Sequence, residues 1–150
     1  MNNEAVFVDT GAFYALIDRD DPYHVVAYKQ WSELLNEKRP IIITNYIVSE
    51  TYTLLRYRLG ATPSQKFLQV LEDSSNSGRI EVKLVNSDVE KSARELLINF
   101  KEYDLSYTDA VSFALIRHYR IPQAFSFDRH FNLAEVAILP EIGSGTTGNN

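Results

Sequence analysis

Short apolar runs rich in β-branched residues recur along this chain and alternate with segments that have helical periodicity. Runs of this kind are typical of strands that are buried on both faces, as the strands of parallel sheets are. Strands joined by helices specify a layered α/β fold with right-handed crossovers. We therefore predict a three-layer α/β/α sandwich with a mostly parallel central sheet. The predicted strands cover residues 5–8, 41–44, 79–85, 124–127 and 137–139.

Capping and stop signals place helices between these strands. Asp21 and Pro22 begin a helix that runs through Leu35, after a shorter helical turn over residues 13–17. Asn45 is the predicted N-cap of a helix that ends at Gly60. The remaining predicted helices begin at Thr62–Pro63, at a Ser87–Glu90 capping box and at Ser106, and residues 73–78 are a predicted loop.

Length and composition predict one domain, residues 1–142, followed by a disordered tail at residues 143–150. The chain has no cysteine and no apolar run of about 20 residues, so we expect a cytoplasmic protein without disulfides or membrane contact. Its net charge of −5 gives no general attraction to nucleic acid. A substrate that carries phosphate would need a local basic patch or bound cations.

Four carboxylates lie next to strongly apolar segments, where an uncompensated charge is costly. Asp9 and Asp128 directly follow predicted strands, and the crevice of an α/β sheet lies at the carboxyl ends of its strands. Glu50 shares a helical stripe with Ile47 and Leu54. Asp109 lies in the first turn of a helix. If the four side chains meet, they form a site for a divalent cation.

Each acid also has an ordinary structural explanation. Asp9 fits a helix N-cap, and Asp109 fits a capping box with Ser106. Glu50 can lie at the edge of an apolar stripe, and Asp128 can close a turn. Only the joint arrangement of the four favours a functional site.

The motifs that carry these acids resemble those of the PIN domain. They are a hydrophobic strand ending in Asp9–Thr10, a helical Ser49–Glu50, Thr108–Asp109–Ala110 entering an apolar helix, and Ser126–Phe127–Asp128. The resemblance covers about residues 5–139 and is closest to VapC-like toxins. It implies a metal-dependent endoribonuclease with an acidic centre of Asp9, Glu50, Asp109 and Asp128, and with Thr10 and Ser126 as nearby hydroxyls. It also implies an RNA substrate, an antitoxin partner and a homodimer.

Phosphodiester hydrolysis needs a nucleophile made from water and a way to spread charge on the phosphate. Mg²⁺ or Mn²⁺ held by carboxylates supplies both. We expect Asp9 and Asp109 to ligate the ion directly, and Glu50 and Asp128 to hold its waters or a second ion. No histidine base is required: His24 lies in an early helical turn, and we expect His118 and His130 to be solvated and not to be ligands. Three arginines are either surface charges or contacts to RNA: Arg117, Arg120 and Arg129.

Alternative functions remain open at this point. Asp9–Thr10–Gly11 also occurs in aspartic proteases, although the chain has one copy and many predicted helices. A receiver-like or phosphatase domain would place Asp9 similarly, but no lysine motif completes such a site. A binding module that retains a PIN scaffold without catalysis is the stronger alternative. Three tyrosines at helical spacing fit a core or an interface better than base stacking: Tyr46, Tyr52 and Tyr57.

Overall fold

The computed structural model describes residues 4–141. The strands are β1 (Val6–Val8), β2 (Ile41–Thr44), β3 (Ile80–Lys83), β4 (Gln123–Phe125) and β5 (Ala137–Leu139). The helices are α1 (Thr10–Ile17), α2 (His24–Asn36), α3 (Asn45–Leu59), α4 (Ala61–Asn76), α5 (Ser87–Asn99) and α6 (Tyr107–Tyr119). A 3-10 helix, Arg129–Ala134, connects β4 to β5.

The strands form one sheet in the order β3-β2-β1-β4-β5, and every pairing is parallel. Phe7 of β1 pairs with Ile42 on one side and with Ala124 on the other. Strand order reverses at β1, because β2 and β3 extend from one edge and β4 and β5 from the other. Right-handed crossovers then put α1–α4 on one face and α5 and α6 on the opposite face. The predicted α/β/α sandwich is confirmed.

The core forms because the central strands are apolar on both faces. All three residues of β1 and all four of β2 are buried. Helix α6 is buried from Ala110 to Ile116, so this helix carries Asp109 directly against the core. The largest fully buried side chains lie on both faces of the sheet: Phe7, Phe113, Phe125 and Phe131.

Two predicted caps are displaced by one residue. The side chain of Thr44, not Asn45, caps α3 by accepting from the Ile47 amide at 3.1 Å. Asn86 caps α5, so the predicted Ser87–Glu90 capping box is wrong. Both true caps have extended backbone angles, which leave their side chains pointing back at the first free amides of the helix.

Other boundaries also differ from the prediction. Helix α2 begins at His24 because the Asp21 carboxylate instead accepts from the Tyr23 amide at 2.8 Å and closes a turn. Helix α4 continues to Asn76, which overrides the loop predicted from residue 73. The predicted stop at Gly60 is confirmed, with φ +91° and ψ −169°. The predicted tail at 143–150 lies outside the described residues, and the domain bounds stay a prediction.

No helix within residues 4–141 combines the length and the apolarity needed to cross a membrane.

The parallel sheet is unlike the all-β architecture of aspartic proteases, which excludes the aspartic protease as an alternative function.

Candidate active site at the carboxyl ends of the strands

Asp9 follows the last residue of β1 and caps α1, at the point where strand order reverses. Its Oδ1 accepts from the Thr10 amide at 2.9 Å, and its Oδ2 accepts from the Ser126 hydroxyl at 3.0 Å. Ser126 directly follows β4, the neighbour of β1. The buried carboxylate, with 7% of its surface exposed, therefore lies in the predicted crevice of the sheet.

The electrostatic environment of Asp9 opposes its negative charge. Burial raises the pKa of Asp9 from 3.8 to about 7, and the charge of Asp109 adds to the effect. Hydrogen bonds from Ser126 and Thr10 lower the pKa, and the charge of Glu50 raises it further. Burial is therefore the largest cause of the raised pKa, and the nearby charges of Asp109 and Glu50 add to it.

Asp109 combines a capping role with a perturbed charge. Ser106 caps α6 through its hydroxyl, and Asp109 Oδ2 accepts from the Ser106 amide at 3.1 Å, which completes a capping box. Burial raises the pKa of Asp109, the hydrogen bonds with Ser106 oppose this shift, and the charges of Asp128 and Glu50 add to it. Asp109 therefore does take part in capping α6, but the capping box engages only one of its two carboxylate oxygens.

The structure corrects the placement of Glu50. The buried stripe of α3 consists of Ile47, Thr51 and Leu55, and Glu50 lies half-buried at its edge together with Leu54. From this half-buried position the charge of Glu50 still acts on both Asp9 and Asp109.

Asp128 also departs from its prediction. Strand β4 ends at Phe125, so Asp128 does not follow the strand directly. Its Oδ1 accepts from the His130 amide at 2.9 Å and caps the 3-10 helix, while the Asp128 amide donates to Ser126 Oγ at 3.0 Å. Ser126 therefore connects Asp9 to the backbone of Asp128.

The four acids form a chain of electrostatic interactions, not a closed metal cage. Asp9 interacts with Asp109 and Glu50, and Asp109 interacts with Asp128 and Glu50. Among residues 4–141, no three His, Cys, Asp or Glu side chains are disposed to hold one ion. Mg²⁺ commonly takes one or two protein carboxylates and completes its shell with water and substrate phosphate. The donor set fits an open site of this kind and does not fit a cage.

Two hydroxyls that sequence reasoning missed lie among the buried residues near this centre. Thr51 donates to Thr10 Oγ1 at 3.1 Å and so ties α3 to the start of α1. In the sequence, Thr51 lies four residues after Ile47 and four before Leu55, and this spacing places it on the buried stripe of α3. Ser112 is fully buried on α6, three residues after Asp109, and its hydroxyl has no partner within the described residues.

The histidines and Arg117 have structural contacts. His24 Nδ1 lies 2.8 Å from the Ala15 carbonyl, and His130 Nδ1 lies 3.4 Å from the Asp128 carboxylate, so these two rings are half-buried and not simply solvated. Arg117 donates to the Leu133 carbonyl at 2.5 Å. This contact ties α6 to the 3-10 helix and supports the surface-charge interpretation of Arg117.

The sequence over almost the whole described fold matches one known protein family. A model of the PIN domain matches residues 6–138. The chain belongs to the PIN domain family. The expected resemblance is confirmed, and the chain has the α/β fold of a VapC-like PIN protein.

Two relatives of this chain are named as RNA-cleaving enzymes. The 23S rRNA-specific endonuclease VapC20 of Mycobacterium tuberculosis is 33% identical over 138 residues, which cover 91% of this chain and 99% of that protein. The VapC ribonuclease of Archaeoglobus fulgidus is 29% identical over 134 residues, covering 88% of this chain and 82% of that protein.

Two solved structures have a fold similar to that of this chain. The crystal structure of M. tuberculosis VapC20, described as a Sarcin-Ricin loop cleaving toxin, has a TM-score of 0.77 at 30% identity and covers 88% of this chain and 96% of its own. FitAcB from Neisseria gonorrhoeae has a TM-score of 0.60 at 17% identity over 89% of this chain and 95% of its own. The second likeness concerns the fold alone.

Proposed function

We propose that this PIN protein is a divalent-metal-dependent endoribonuclease that hydrolyses RNA phosphodiester bonds at a centre of Asp9, Glu50, Asp109 and Asp128. The observation that carries the proposal is the state of Asp9, whose pKa is raised to about 7 by burial and by the charges of Asp109 and Glu50. Perturbed acids that converge at a strand-order reversal are typical of functional sites. Two relatives named as an endonuclease and a ribonuclease support the choice of chemistry.

The donor chemistry favours Mg²⁺ or Mn²⁺, because every proposed ligand is a carboxylate oxygen. Asp9 and Asp109 are the proposed direct ligands, and Glu50 and Asp128 are proposed to hold water of the ion or a second ion. When bound, the cation would offset the repulsion between these acids and the phosphate and would lower the pKa of water. Thr10 and Ser126 are proposed to support the cofactor site through Asp9.

The contacts of the chain's own residues keep the acids oriented before substrate arrives. Thr10 and Ser126 each hold one oxygen of Asp9, and the capping box holds Asp109. Fixed orientation reduces the reorganisation that charge development on a phosphate would otherwise demand. Without a cation, Asp9 retains a proton over part of the neutral range, so binding of a cation should release that proton.

The biological setting is part of the same proposal. The description of the M. tuberculosis relative as a toxin supports an antitoxin partner for this chain, whereas action in the cytoplasm stays a prediction. A homodimer stays a prediction. Exposed apolar residues on α2 and α4 offer surface for either kind of contact: Val25, Tyr28, Leu68 and Val70.

Cleavage of a looped RNA oligonucleotide with and without Mg²⁺ or Mn²⁺ tests the proposal. We expect cleavage by the wild-type protein, arrest by EDTA, and loss of cleavage in Asp9→Asn with the fold retained by circular dichroism. A contaminating metal-independent ribonuclease would persist in both EDTA and the variant. If the protein binds RNA or a partner but never cleaves, and Asp9 is dispensable, the non-catalytic PIN scaffold replaces the enzyme.

A further inference from the structure

An open depression of about 430 Å³ runs along α3 beside the acidic centre. Glu50 lines it together with Thr108, the residue before Asp109. Tyr57 and Arg58 line it about two helical turns further along α3. At about 1.5 Å per residue, Glu50 and Arg58 are separated by about 12 Å along the helix axis. The depression therefore connects a proposed catalytic acid to an arginine.

Arg58 packs over a ring of the core and interacts electrostatically with Asp18. Its guanidinium carbon lies 5.2 Å from the centroid of the Tyr14 ring, and Tyr14 is buried on α1. The Tyr14 hydroxyl donates to Asp18 Oδ2 at 2.6 Å, which fixes the ring. Arg58 itself is exposed. In a chain of net charge −5, an exposed cation that is held beside the acids gives a phosphate a local attraction.

Tyr57 has no evident role in the fold, because 85% of its surface is exposed. Tyr46, on the same depression, is different: its hydroxyl bonds to Glu90 and its ring lies 6.0 Å from that of Tyr107. A free aromatic ring next to a positioned arginine is the combination that single-stranded nucleic acids bind, by stacking and by phosphate contact.

We propose that this depression binds nucleotides next to the scissile phosphate, with Arg58 contacting a backbone phosphate and Tyr57 stacking on an unpaired base. The inference rests on the proposed ribonuclease function and specifies its substrate class as single-stranded or looped RNA. Paired bases in an A-form helix do not offer a free face to a tyrosine, whereas loops do. A protein partner or a second copy of the chain is the competing occupant.

Arg56 provides a matched control for Arg58. Both arginines are exposed and lie in the last turn of α3, but Arg56 does not line the depression. Binding of a fluorescent single-stranded RNA should be measured at several NaCl concentrations in an Asp109→Asn background, which prevents turnover. Loss of one phosphate contact reduces the slope of log affinity against log salt by about 0.7. We expect this reduction for Arg58→Ala and an unchanged slope for Arg56→Ala.

The base contact is tested separately with Tyr57→Ala and Tyr57→Phe. Loss of one stacked base weakens binding by about fivefold or more, because such contacts are worth roughly 1–3 kcal/mol each. Phe retains the aromatic face, so Tyr57→Phe should bind as the wild-type ring does. A fully paired RNA duplex of two strands should show no difference between the Tyr57 variants.

The outcomes separate the two proposals. The ribonuclease function is supported if the wild-type protein cleaves RNA and Asp9→Asn does not. In that case, equal slopes of log affinity against log salt for Arg58→Ala and Arg56→Ala would overturn the RNA-binding depression alone. Unchanged RNA binding together with a change of mass in light scattering for Tyr57→Ala would assign the depression to a contact between proteins. Absence of cleavage by the wild-type protein, with the slopes still differing as expected, would overturn the proposed function but retain the RNA-binding depression.

Discussion

The carboxylate of Asp109 closes the capping box of α6, and its charge also raises the pKa of Asp9. A cap needs an acceptor, whereas a cation site needs a negative charge. Asparagine separates these requirements, because its amide oxygen can accept from the Ser106 amide without carrying charge.

Asp109→Asn should therefore melt close to the wild-type temperature and lose RNA cleavage. Ser106→Ala is the matched control: it removes the capping hydroxyl and should cost about 0.5–2 kcal/mol of stability while cleavage below the melting range is retained. Thermal melts and single-turnover cleavage on both variants check this. A strongly destabilised Asp109→Asn whose folded fraction cleaves normally would assign the residue to capping alone.

Asp9 predicts a pH dependence of stability in the absence of metal. Its folded pKa is about 7 and its ordinary value is 3.8, so between these pH values the folded state holds a proton that the unfolded state has released. The free energy of unfolding should therefore fall as pH rises from about 4 to about 7, by up to about 1.4 kcal/mol per pH unit, and level off above.

Urea unfolding in EDTA at pH 5, 6, 7 and 8 measures this effect, with Asp9→Asn as the reference. The advantage of the wild-type protein over the variant should shrink with rising pH. Parallel profiles for the two proteins would mean that Asp9 titrates normally in the folded state.

At the scale of the elements, hydrophobic periodicity and capping signals predicted the five strands and helices α1–α6, because burial sets that pattern, but they missed the 3-10 helix Arg129–Ala134. The caps were less predictable. Thr44 and Asn45 are both good capping residues, and only the extended backbone of Thr44 decides between them. Asp9 and Asp109 could be placed from sequence because they adjoin element ends. Arg58 could not, because its position depends on the ring of Tyr14 from another helix.

Gly60 joins α3 to α4 with backbone angles that only glycine adopts easily. Gly60→Ala should cost about 1–3 kcal/mol, although an added Cβ would contact nothing within 4 Å. Gly11→Ala is the comparison, because Gly11 lies in the first turn of α1 without positive φ and its added Cβ would meet only Asp9 Oδ2, at 4.0 Å. We expect Gly11→Ala to melt at or slightly above the wild-type temperature. Equal melting temperatures for the two variants would contradict the strain argument.

At the scale of the whole molecule, a cation at the acidic centre should stabilise the entire fold. The acids come from β1, α3, α6 and the segment after β4, so their mutual repulsion acts across both helical layers. Free metal at a hundredfold excess over its dissociation constant adds about 2.7 kcal/mol to the free energy of unfolding. The melting temperature should rise with Mg²⁺ or Mn²⁺ in the millimolar range, and Asp9→Asn should abolish the rise. A wild-type melting temperature that does not change with either metal would argue against a cation site.

The hydrogen bond between Ser126 and Asp9 joins residues that are 117 positions apart. Synthesis on the ribosome delivers Asp9 117 positions before Ser126, so the nascent chain carries an unfinished centre throughout that interval. A PIN ribonuclease of the proposed kind, made in this order, would be harmless to the ribosome until Ser126 has been added and has emerged. Translation arrested near residue 120 should accordingly yield ribosome-bound chains without cleavage activity, and the interval before Ser126 emerges would give a partner made at the same time an opportunity to bind.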